Sequence, residues 1–174
     1  MSLRYAVLGM LAEGPASGYD LLQRFKGSLA NVWPATQSQL YTELGKLAES
    51  GAIAVSDEGP RGRKEYTLAA AGRADLRRWL TETEPKPVSR NEMLLRVFFL
   101  GVLDHAQARD YLTTIETRMT KAGAELADLE AAIPWDDDEF SRYGHIALEW
   151  GKRFYAMNEE WARWALTQMP PPRK

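Results

Sequence analysis

The chain has 174 residues and no cysteine, which excludes disulfides, thiolate zinc sites and cysteine nucleophiles and ties it to no oxidising compartment. Hydrophobic residues at 45% and charged residues at 26% describe a globular protein rather than a disordered or fibrous one. The net charge of −2 argues against a nucleic-acid binder only until it is divided: residues 1–80 carry ten Lys and Arg against eight Asp and Glu, and residues 81–174 carry twelve against sixteen, so any anion-binding surface belongs to the first half.

Leu3, Val7, Met10 and Leu11 recur at helical spacing and predict a helix over residues 3–11, ended by Gly14-Pro15. This start lacks a cleavage-site pattern, and no apolar run approaches the roughly 20 residues that cross a bilayer, so neither a signal peptide nor a membrane span is expected and a cytoplasmic location is the default. A second helix is capped by Ser17, carries Asp20 in its first turn and aligns Leu21, Leu22, Phe25 and Leu29 on one face until Trp33-Pro34 breaks the pattern. The third opens at Thr36, with Gln39 at capping-box spacing, and closes at Gly51. Leu40, Leu44, Leu47 and Ala48 form its apolar stripe, leaving Gln37, Ser38, Tyr41, Thr42, Glu43 and Lys46 on a polar, nearly uncharged remainder. Residues 53–56 and 64–68 read as a β-hairpin around a turn-rich basic tip, 57–63, and a fourth helix follows over about 69–81. Pro85 and Pro87 cannot continue a helix, so the domain break is expected at 83–89.

The second half is helical by pattern. After a helix over 90–103, Asp104 and Gln107 give a second capping-box start, and Ala108, Leu112, Ile115, Met119, Ala122, Leu126, Leu129 and Ile133 alternate gaps of four and three. Pro134 stops this seam. Asp136 with Glu139 opens a last helix, on which Tyr143, Ala147, Trp150, Phe154, Met157, Trp161 and Trp164 repeat the alternation. Two such seam helices joined by a short turn are expected to pack antiparallel. The fold class is therefore mainly α with a small β-hairpin: a winged helix-turn-helix over 1–82, a linker over 83–89, an antiparallel helical domain over 90–169, which the resemblance given below makes a dimerisation domain, and a disordered tail over 170–174.

In that arrangement the third helix is sized for the major groove of DNA. The expected contact set is Thr36, Gln37, Ser38, Gln39, Tyr41, Thr42 and Lys46 from the helix, with Arg61, Arg63, Lys64 and Tyr66 from the wing. Gln37 and Ser38 suit base edges, Tyr41, Thr42 and Lys46 the backbone, and the wing cations phosphates. An enzyme would have to draw on two histidines and scattered carboxylates. His105 follows a helix cap and His145 lies on the aromatic helix, both with structural roles expected; Asp136-Asp137-Asp138-Glu139 lacks the glycine turn of a calcium loop and reads as capping. No catalytic residue, metal or cofactor is expected. Two rival readings stay open: a winged module that docks a protein, and a helical enzyme or ligand carrier built on the aromatic half.

Val7-Leu8-Gly9-Met10-Leu11, Gly18-Tyr19-Asp20-Leu21, Gln39-Leu40-Tyr41, residues 44–47, Gly51-Ala52-Ile53 and the wing 59–66 resemble the PadR-like regulators. Residues 92–99 and Ala147-Leu148-Glu149-Trp150-Gly151 resemble the C-terminal helical region of that family's larger subgroup, akin to virulence-activator regulators. The resemblance implies a homodimer on a palindromic promoter site, usually repressing and released by a small molecule or another signal. The C-terminal helices would then pair through Leu112, Ile115, Met119, Leu126, Trp150, Phe154, Met157, Trp161 and Trp164. The alternative for the aromatic residues is a pocket for an aromatic or phenolic effector, as in some relatives, lined by Tyr19, Trp33, Phe98, Phe99, His145 and Tyr155. Thr42 stands where the family commonly has proline, Gly45 where it commonly has a basic residue, and Ala69 where a threonine begins the fourth helix.

Overall fold

The structure, a computed structural model, describes residues 2–30, 32–56, 64–85 and 90–171. Arg61 and Arg63 of the expected wing tip, residues 86–89 of the expected linker and residues 172–174 of the expected tail lie outside the described residues. The chain divides into two compact units, Met1–Lys86 and Pro87–Lys174.

The first unit runs α1 (Ser2–Ala12), β1 (Ala16–Ser17), α2 (Gly18–Ser28), α3 (Gln37–Glu49), β2 (Ile53–Val55), β3 (Glu65–Leu68) and α4 (Ala70–Glu82). Its core gathers Val7, Leu8, Met10 and Leu11 from α1, Leu21, Leu22 and Phe25 from α2, and Leu40, Leu44 and Leu47 from α3. Fully burying a Leu side chain contributes about 1.5–3 kcal/mol, and the three α3 leucines are at most 1% exposed. That stripe fixes the roll of α3, because turning it outward would forfeit all three. Gly51 ends the helix at φ 67°, a left-handed conformation that an L side chain resists.

The expected hairpin is present, with Ile53 opposite Leu68, Ala54 opposite Thr67 and Val55 opposite Tyr66. A third strand, not anticipated, pairs antiparallel on the other side of β3, with Ala16 opposite Tyr66 and Ser17 opposite Glu65. Ser17 caps α2, as its sequence position predicts: its side chain accepts from Asp20 N at 3.2 Å. A cap residue has extended backbone, here φ −75° and ψ 161°, and extended backbone can also join a sheet. Two residues are too few for a period of two to show in sequence. Arg4 reaches Asp75 at 3.0 Å and Tyr5 stacks on Trp79 at 4.5 Å, docking α4 on α1.

The second unit holds α5 (Glu92–Val97), a 3-10 turn (Leu100–Val102), α6 (His105–Ala132) and α7 (Glu139–Thr167). The single helix expected over 90–103 instead ends at Phe98, which caps α5 before the 3-10 turn. Asp104 and Gln107 form the expected capping box. The cap of α7 falls on Asp138, whose carboxylate accepts from Ser141 N at 2.7 Å, and not on Asp136; in a run of acids each is a competent acceptor, and helical backbone begins only after Asp138.

The helices α6 and α7 form the expected antiparallel hairpin, but α7 meets α6 through a different row. Leu148, Asn158 and Ala162 are buried, Gly144 lies against Trp135, Gly151 against Leu126, and Tyr155 against Gly123. This row, 144, 148, 151, 155, 158 and 162, keeps the four-three alternation and sits one residue beyond the aromatic row expected to fill the seam. Small residues win because they let two backbones approach; indole rings there would hold the helices apart. On α6 the expected seam holds, with Ala108, Leu112 and Ile115 buried and its remaining members half-buried. Met93, Val97, Leu100, Tyr111 and Trp161 pack around Leu112, Ile115 and Ala162.

Candidate nucleic-acid interface

With Leu40, Leu44 and Leu47 turned inward, Thr36, Gln37, Ser38, Gln39, Tyr41, Thr42, Gly45 and Lys46 are all exposed. Thr36 and Gln39 are engaged with each other: Gln39 N donates to Thr36 Oγ1 at 3.2 Å and Thr36 N to Gln39 Oε1 at 2.8 Å. The capping box that orders the first turn thus occupies two of the side chains expected at a ligand. Gln37, Ser38, Tyr41 and Thr42 remain as a neutral hydrogen-bonding face, with Lys46 as its cation. The ring of Tyr41 lies over Gly18, the first residue of α2.

Of the wing residues, Lys64 is exposed, next to the start of β3. Tyr66 is half-buried between Ala16 and Val55 in the sheet and packs on the core, so it anchors the base of the wing. Among the described residues no group of three His, Asp or Glu is placed to hold a metal ion, and no helix is long and apolar enough to cross a membrane.

The expected dimerisation residues separate into two kinds. Leu112 and Ile115 are buried inside the hairpin, Met119 and Leu126 are half-buried in its seam, and Trp161 is half-buried over Ala162. Trp150 (68% exposed), Phe154, Met157 and Trp164 (57%) stand outward on α7, with Trp150 and Phe154 stacked at 5.4 Å.

Of the residues expected around an effector, two lie on the first unit and four on the second. Tyr19 and Trp33 are exposed on the first unit. On the second, Phe98 and Phe99 are exposed and follow α5, which packs near Leu112 and Ile115. His145 pairs with Glu130, fifteen residues beyond Ile115 and so about 22 Å farther along α6. Tyr155 is half-buried in the seam, edge-on to Phe154. Phe98 instead lines a shallow groove with Arg90, Asn91, Glu92, Leu94 and Leu95.

Near the turn between α6 and α7, Glu130 collects Lys152 Nζ at 2.8 Å and His145 Nε2 at 2.9 Å, while Trp135 Nε1 donates to its backbone carbonyl. The Lys152 hydrogen bond first, and His145 second, hold the Glu130 carboxyl below its ordinary 4.5. Glu130 in turn raises Lys152 above its ordinary 10.5. Sequence spacing did not reveal this cluster, because its members come from two helices whose register only the packing sets.

Three packed helices, a third helix with an exposed polar face and an antiparallel β-ribbon define a winged helix-turn-helix protein, here carrying a C-terminal helical hairpin. The family model described as "Transcriptional regulator PadR-like family" matches residues 7–78, and that described as "Virulence activator alpha C-term" matches residues 89–169. The negative transcriptional regulator PadR of Bacillus subtilis (strain 168) is 35% identical over 134 residues, 75% of this chain and 72% of that protein. The crystal structure of Bacillus subtilis PadR in complex with operator DNA matches with a TM-score of 0.80 and 28% identity, covering 97% of this chain and 98% of that one. The structure of the same protein in complex with p-coumaric acid matches at 0.81 and 29%, covering 96% and 98%. The chain belongs to the PadR-like family of transcriptional regulators, which are not enzymes.

Proposed function

We propose that this regulator binds a palindromic promoter site as a homodimer, represses from it and is released by a small aromatic or phenolic molecule. The observation that carries the reading is the neutral, hydrogen-bonding face of α3, locked outward by three buried leucines and presented in a family whose member PadR was solved on operator DNA. Gln37 and Ser38 read bases, Tyr41, Thr42 and Lys46 position the backbone, and Arg61, Arg63 and Lys64 contact phosphates. Pairing through the outward aromatic row of α7 sets the two recognition helices about 34 Å apart, one DNA turn. Repression is supported by the negative regulator to which the chain is 35% identical, and an aromatic effector by the p-coumaric acid complex.

Footprinting on the protein's own upstream region, with and without hydroxycinnamic acids, tests all of this at once. Two protected half-sites one turn apart that disappear with ligand support the reading; no protection on any upstream fragment rejects it. The match of residues 89–169 to the virulence-activator region favours a second reading, activation from the same site. A promoter fusion that loses expression when the gene is deleted selects activation, and one that gains expression selects repression.

A further inference from the structure

We propose that Gly18 is a positioning residue for DNA binding: having no side chain, it seats the ring of Tyr41 on the first turn of α2 and so fixes where the Tyr41 hydroxyl stands on the α3 face. The inference rests on the reading of α3 as the DNA-contacting helix.

A Cβ at position 18 would lie 2.7 Å from Tyr41 Cε1 and 3.3 Å from both Cζ and the hydroxyl oxygen. Carbon atoms in contact normally stand about 3.5–4.0 Å apart, so a methyl group and the ring cannot both hold these positions. Backbone conformation does not account for glycine here: the positive-φ glycines among the described residues are Gly14 and Gly51. Helix propensity does not account for it either, since alanine is the better helix former. What remains is the ring.

The seat also ties two parts of the interface together. Gly18 directly follows β1, whose Ser17 and Ala16 stand opposite Glu65 and Tyr66 of β3, the strand that leads out of the wing. Tyr41, projecting from α3, thus rests on the segment whose backbone is paired with the wing strand. One side of the ring is held and 40% of the residue stays exposed, so the phenol meets a ligand with little rotamer freedom left to lose.

The test is a double-variant cycle of Gly18→Ala, Tyr41→Ala and their combination in the full chain, read by binding to a duplex of the protein's own upstream region at fixed salt and by thermal melting. Gly18→Ala is expected to weaken binding about tenfold, as expected when one good polar contact is lost, and to cost nothing further in the Tyr41→Ala background. If Gly18→Ala lowers the melting temperature, adding Tyr41→Ala restores it, because the ring is what the methyl meets. Wild-type binding by Gly18→Ala or by Tyr41→Ala, additive losses in the combination, or a melting defect that Tyr41→Ala leaves in place each overturn the seat while the DNA reading stands. An unaltered protein that binds no upstream duplex overturns that reading itself, and the seat with it.

Discussion

Thr36 and Ala69 hold the same backbone position at the heads of α3 and α4, with φ −82° and ψ 159° at one and φ −78° and ψ 161° at the other. Thr36 gives an oxygen to the first turn, and Ala69 makes no side-chain cap bond. Caps of this kind contribute about 1 kcal/mol, so Ala69→Ser is expected to raise stability by that amount and Thr36→Ala to lower it, both read by urea denaturation. The capping boxes were legible because Thr36 with Gln39 and Asp104 with Gln107 each offer one register. The acid run before α7 offers several, so its spacing points to Asp136, two residues before the actual cap at Asp138. At the proposed interface, Lys46→Ala should weaken all DNA sequences alike and lower the salt slope by about one, whereas Gln37→Ala should alter base preference at one position by about 1–3 kcal/mol. A panel of single-base operator variants bound at two salt concentrations separates these outcomes, and reversed behaviour reassigns both residues.

Among the elements, the α6–α7 hairpin carries the clearest pH signature. Glu130 has a folded pKa below 4.5, so the stability it contributes is present above its unfolded value and is lost as pH falls through the folded one. Lys152 titrates above 10.5 when folded; its contribution is complete below 10.5 and is lost as pH rises through the raised value. Thermal melts between pH 7 and 3 should therefore fall less steeply for Glu130→Gln than for the unaltered chain, and an unchanged acid slope would remove Glu130 from the account. Periodicity revealed both helices and their pairing, because a four-three alternation persists over seven positions of α6 and its C-cap, Ile133. It did not reveal which face of α7 turns inward. Hydrophobicity points to Trp150 and Phe154, but close approach favours Gly144, Gly151 and Ala162, and packing distance outranks apolar area where a smaller neighbour stands next to a larger one.

For the whole molecule, the outward row of α7 is the surface that the proposed dimer would cover. Trp150→Glu combined with Met157→Glu is expected to yield a monomer by light scattering with helicity unchanged, since the two residues are 68% and 57% exposed. The same variant should lose operator affinity, because two half-sites no longer bind as one. Should it remain dimeric, the pairing surface lies elsewhere. The order of elements and the resemblance made the family legible from the sequence, and the buried leucines of α3 made the polar face legible too. The seat beneath Tyr41 was not, for it depends on two residues of distant sequence position meeting at van der Waals range.

On α7 the residues that close the hairpin and those that face outward interleave without sharing a member. Leu148, Gly151 and Ala162 can stay fixed while Trp150, Phe154 and Trp164 are rewritten. If the proposed pairing runs through that outward row, a duplicated gene can diverge in its choice of mate without relearning how to fold, and sister regulators of one architecture can share a cell without trading subunits.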